Sequence, residues 1–86
     1  MTPAEALQQA SLAGRFGQFA VSSHCLQRMR ERNVTRQDIC LALRSATVAS
    51  HEGGEKWRLA GGLDDDGTEL GVVIVFTGTG LVVTVF

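Results

Sequence analysis

Apolar residues recur along this chain with two periods, helical before Ala46 and alternating or continuous after it. Thr2-Pro3-Ala4-Glu5 opens the first predicted helix. Thr2 suits the N-cap, Pro3 the first helical position, and Glu5 completes a capping box. The pattern runs through Leu7 and Leu12, and Gly14 is expected to end it. Its amphipathicity is weak, which predicts a peripheral helix over 1–14, set on the edge of the domain or on a partner. Phe16 to Val21 suits a short strand. Ser22 or Ser23 then caps a second helix reaching about Asn33. Cys25, Leu26 and Met29 are expected on its inner face. His24, Gln27, Arg28 and Glu31 fall on its outer face, with Arg32 at the border. Thr35 caps a third helix, with Asp38 favourable at its positive end and Ile39, Leu43 and Ala46 buried.

Beyond Ala46 the pattern is that of strands. Thr47 to Ser50 suits one, and Gly53-Gly54 a turn. Glu55 to Ala60 alternates, with Trp57 and Leu59 on one face and Lys56 and Arg58 on the other. Gly61 to Gly67 is a long polar turn. Leu70 to Thr77 and Leu81 to Phe86 are nearly continuous apolar strands joined through Thr77-Gly-Thr-Gly80. Val72, Ile74 and Phe76 are expected to face the helices. Val73, Val75, Val82 and Phe86 are expected on the other face, against the first helix or a partner protein. This order predicts one α+β domain, 1–86, with two or three N-terminal helices packed on an antiparallel sheet of three to five strands.

Eighty-six residues suffice for one small domain with a marginal core, so a partner or self-association is expected. Net charge is close to neutral, which argues against indiscriminate nucleic-acid binding. The distribution is uneven. Residues 28–44 carry Arg28, Arg30, Arg32, Arg36 and Arg44 against Glu31 and Asp38, whereas residues 45–86 carry Lys56 and Arg58 against six carboxylates. Cys25 and Cys40, both expected buried, do not make a disulfide framework. The N-terminus carries no signal-peptide pattern and no apolar run spans a bilayer, so the expectation is a cytoplasmic protein without a membrane role.

His24, Arg28 and Arg32 are spaced i, i+4, i+8 and form one row along the second helix. A proton carrier near neutral pH beside fixed phosphate binders is what metal-free RNA cleavage requires. A base takes the 2′-hydroxyl proton, cations stabilise the charge on phosphorus, and an acid protonates the leaving 5′-oxygen. Lys56 and Arg58 would add charge from the sheet. The same spacing also describes a solvated helix face with pairs such as Arg28 and Glu31. His51, before Gly53-Gly54, reads as a loop residue. No spacing among His24, Cys25, Cys40 and His51 matches a structural zinc site, and Asp64-Asp65-Asp66-Gly67 lacks the alternating ligands of a calcium loop. No metal or cofactor is expected.

The run Ser23-His24-x-x-x-Arg28-Met29-x-x-Arg32-x-Val34-Thr35, followed by Asp38-Ile39 and Ala42-Leu43, resembles a small bacterial family, a domain of unknown function. The late strands, 71–76 and the one ending Val83-Thr84-Val85, are similar too, so the resemblance covers about 16–86. That family looks like a relative of the RelE, BrnT and MqsR toxins, RNases of bacterial toxin–antitoxin systems. The resemblance implies a curved antiparallel sheet with RNA held against it, and an antitoxin as partner. It carries catalytic roles onto His24, Arg28, Arg32, Arg58 and Thr84. The charge distribution adds Arg30, Arg36 and Lys56 as expected RNA contacts. The reading from another class is a non-catalytic interaction module or homodimer using the apolar sheet face or the first helix. A third is a nucleic-acid binder without catalysis.

Overall fold

Two capping boxes start two of the three helices. In α1 (Pro3–Phe16) the Thr2 hydroxyl accepts the Glu5 amide at 3.1 Å while the Thr2 amide donates to Glu5 Oε1 at 2.8 Å. In α3 (Arg36–Ser45) Thr35 and Asp38 repeat the exchange at 3.0 and 2.9 Å. Between them α2 (Ser23–Arg32) is capped by Ser22 and closed by Asn33 in the left-handed conformation, φ 56°. The computed structural model describes residues 1–86.

The strands are β1 (Ala20–Val21), β2 (Val48–His51), β3 (Lys56–Ala60), β4 (Val72–Val75) and β5 (Leu81–Val85). They form one open sheet in the order β1-β5-β4-β3-β2. Four of them pair antiparallel as consecutive neighbours. The two-residue β1 adds parallel to β5, so the sheet is mixed rather than wholly antiparallel. The fold is α+β, with three helices packed on five strands.

Two sequence expectations for the first helix are corrected. Gly14 does not end α1. It lies inside the helix, where an added Cβ would come within 2.5 Å of the Cys40 carbonyl oxygen on α3. Gly17, at φ 65°, is the true cap. Nor is α1 peripheral: it buries the small residues Ala6, Ala10 and Gly14. These are spaced by four and let the backbone approach α3 closely. The larger Leu12 and Phe16 stay exposed. Phe16 therefore belongs to the helix and not to a strand, and β1 shortens to two residues.

The inner face of the sheet meets the helices through Trp57, Leu59, Val72, Ile74, Val82 and Val85, all in the core cluster. Val82 was expected on the other face. A bulge between Val73 and Ile74 explains the reversal: Ile74 pairs with Val82 and Val73 with Thr84, which leaves Val83 as the extra residue. Both Val82 and Val85 are thereby turned inward, and Thr84 and Phe86 outward. On α2, Cys25 is buried and Met29 half-buried, but Leu26 is exposed, against the expected inner-face set.

Candidate functional site on the second helix and the outer sheet face

Ser22 fixes the position of α2. Its hydroxyl accepts the Cys25 amide at 3.0 Å and donates to the Val83 carbonyl at 2.7 Å, so the first turn of the helix is tied to the bulge in β5. Cys25 anchors the helix in the core, and burial pushes its thiol pKa up, which keeps it a neutral packing group. His24, Arg28 and Arg32 are all exposed along α2, the row winding from the outer side at His24 toward the border of the buried side at Arg32. Arg30 is exposed as well, and Arg30 and Arg32 lie in the last turn, where cations complement the negative helix end. The row predicted from spacing is present.

The sheet supplies a second group. Paired residues on neighbouring strands point to the same face, so Ser50, Arg58, Val73 and Thr84 form one row across β2, β3, β4 and β5. Lys56 lies on this face too, one pairing further along, opposite Val75. The carboxylate on this face is Glu52, which follows β2 opposite Lys56, its amide donating to the Lys56 carbonyl at 2.9 Å. Val73, 3% exposed, is buried without belonging to the core cluster. Thr84 is half-buried, and its hydroxyl reaches only the Val85 carbonyl at 3.4 Å. Arg58 Cζ lies 3.7 Å above the centre of the Phe86 ring.

The remaining predicted residues fall elsewhere. Arg36 is exposed but held by the fold: its Nη2 donates to the Gly17 and Phe19 carbonyls at 2.8 and 2.6 Å, and its guanidinium stacks on the Phe19 ring at 4.0 Å. It joins the end of α1 to the start of α3. His51 ends β2 instead of lying in a loop. Its Nε2 is 2.7 Å from the Gly54 carbonyl, and its ring is tilted against Trp57 at 4.9 Å. Both cysteines are free, with Cys40 half-buried, and no group of three His, Cys, Asp or Glu side chains gathers at one place. No helix is long and apolar enough to cross a membrane.

The acidic turn after β3 is organised by itself. The amides of Asp66 and Thr68 both donate to Asp64 Oδ1 at 2.9 Å. The Asp65 amide donates to Asp38 Oδ1 at 3.0 Å, tying this turn to the start of α3. Hydrogen bonds from the Thr35 and then the Asp65 amide hold the Asp38 carboxyl below its usual range.

Phe86 and Gly71 belong to this surface and are not singled out by motif reading. The available signal is the glycine that interrupts the apolar run from Leu70 to Phe76, since glycine in a strand marks close approach of another group.

No curated protein and no solved structure matches this chain. A family model does match, over residues 21–86, which takes in α2, α3 and the sheet from Val21 onward and leaves α1 outside. The chain belongs to that family, DUF4258, a domain of unknown function.

Proposed function

We propose that this protein is an RNA-cleaving toxin of the toxin–antitoxin type, acting without a metal through the 2′-hydroxyl of its substrate. One observation supports this reading above the others. His24, Arg28 and Arg32 stand exposed in one row of α2, and that helix is tied to β5, the strand that carries Thr84. His24 moves the proton, as base toward the 2′-hydroxyl or as acid toward the leaving 5′-oxygen. Arg28 and Arg32 hold the phosphate and stabilise its added charge. Arg58 and Lys56, on the outer sheet face and not on the helix layer, hold other phosphates of the same strand, and Thr84, across β4 from Arg58, offers a hydroxyl donor. Arg30 adds attraction for the strand. A small antitoxin protein would cover this surface.

Induced expression in a bacterial host tests the reading, with wild type beside His24→Ala/Arg28→Ala at equal protein level. Growth arrest with RNA cleavage in the wild type alone is the expected result. Normal growth with intact RNA from folded wild type contradicts it.

The second reading is a non-catalytic interaction module or homodimer. It is favoured by the exposed side chains of Met1, Leu12 and Phe16, which line a groove with Phe76 and the turn at Gly78–Gly80. This apolar surface runs between α1 and the turn after β4. Sedimentation over a range of concentrations tests it: a concentration-dependent rise in mass supports self-association, and a constant monomer mass removes the homodimer.

A further inference from the structure

The fold contains two arginine–phenylalanine stacks with opposite donor use. In the first, the Arg36 guanidinium stacks on Phe19 and also donates to two backbone carbonyls. In the second, Arg58 stacks on Phe86, its charge lies on an exposed sheet surface, and its N–H groups have no protein acceptor among the side-chain hydrogen bonds of the fold. An arginine flat on a ring keeps its donors in the guanidinium plane, pointing sideways along the surface.

The way this second stack is built is unusual. Phe86 pairs with Gly71 through two backbone hydrogen bonds, both 2.9 Å, so β4 lies between Phe86 and the strand of Arg58. The ring reaches Arg58 by crossing over Gly71. A Cβ on Gly71 would lie 2.1 Å from the ring atoms Cε2 and Cζ. Gly71 has no left-handed φ, so its lack of a side chain serves the ring and not the backbone. Glycine, ring and guanidinium thus form one stacked unit on the face of Lys56, and the positions in line with Arg58 across the sheet are Ser50, Val73 and Thr84, none of them acidic.

We infer that Phe86, seated on Gly71, is a positioning residue that holds the Arg58 guanidinium edge-on to a phosphodiester of a single-stranded RNA. This rests on the reading that the outer sheet face meets RNA. The ring orients Arg58, and the in-plane donors meet two phosphate oxygens side by side. Leucine at position 86 leaves the charge in place but frees it to rotate. Tyrosine keeps the ring.

The test is NMR observation of the Arg58 Nε–H resonance and of the backbone amides while a 2′-deoxy-blocked oligonucleotide, which cannot be cleaved, is added to the full chain. Wild type, Phe86→Leu, Phe86→Tyr and Gly71→Ala are compared. The Arg58 signal is expected to move to saturation in wild type and Phe86→Tyr. Affinity is expected to fall about two- to fivefold in Phe86→Leu, the range of an exposed cation–π contact. The same loss is expected in Gly71→Ala. Phe86→Leu carries the test by itself if Gly71→Ala fails to fold. Amide shifts on α2 with an unmoved Arg58 signal, or equal affinity in Phe86→Leu, overturn this inference and leave RNA binding standing. No shift anywhere overturns both.

Discussion

The Ser22 hydroxyl and the Val83 carbonyl meet at 2.7 Å, and this bond joins the helix of His24 to the strand of Thr84. The same oxygen caps α2 through the Cys25 amide. Ser22→Ala removes the cap and leaves a part-buried carbonyl without its partner. The expected cost is about 1–3 kcal/mol, read as a lower melting temperature or urea midpoint. Thermal melts that match wild type would show that the tie contributes nothing.

Gly14 lies where α1 meets α3. Alanine is the better helix former by about 1 kcal/mol in an exposed helix interior. At Gly14 its methyl would meet the Cys40 carbonyl at 2.5 Å and Arg44 Cγ at 2.9 Å. Gly14→Ala is therefore expected to destabilise by about 1–3 kcal/mol through overpacking, against the helix scale. Denaturant titration decides the sign.

Arg36 and Arg30 should separate cleanly. Arg36→Ala breaks two hydrogen bonds to carbonyls and a ring stack, for a loss of about 2–3 kcal/mol. Arg30→Ala, on the exposed side of α2, should stay within about 0.5 kcal/mol of wild type. If the RNA reading holds, Arg30→Ala weakens oligonucleotide binding and flattens its salt dependence. Chemical denaturation of both variants, followed by binding at two salt concentrations, checks the pair.

Asp38 sets an acid limit. Its folded pKa is lowered, so the unfolded state binds its proton more readily. The contribution is fully present above the ordinary aspartate value, 3.8, and is lost as pH falls through the lower folded value. Glu5, held by the Thr2 amide, acts in the same direction. Stability should decline on acidification below about pH 4, and Asp38→Asn should flatten that decline. An acid limb of equal slope in both proteins would contradict the assignment.

The parts of the fold governed by local chemistry are those the sequence makes plain. The caps at Thr2, Ser22 and Thr35, the alternation of Trp57 and Leu59 against Lys56 and Arg58, and the His24 row all appear where residue pattern puts them. The departures come from tertiary contacts that no local window contains. Gly14 reads as a helix end because its reason, the Cys40 carbonyl, lies on another helix. Val82 changes face because Val83 is an extra residue against β4, which single-strand alternation does not encode. Arg36 reads as a free charge until the Gly17 and Phe19 carbonyls are brought beside it. At the candidate site, the exposed helix row is readable, and the ring that steadies Arg58 across an intervening strand is not.

The function proposed for the His24 row is cleavage of RNA without a metal. Its most direct test is purified protein incubated with a defined single-stranded RNA in excess chelator, with wild type, His24→Ala and Arg28→Ala side by side. Wild type is expected to cleave it to products ending in 2′,3′-cyclic phosphate. The rate for His24→Ala is expected to be at least about a hundredfold lower, the range for loss of a positioned proton carrier. RNA left intact by folded wild type, or cleaved equally by His24→Ala, would contradict it.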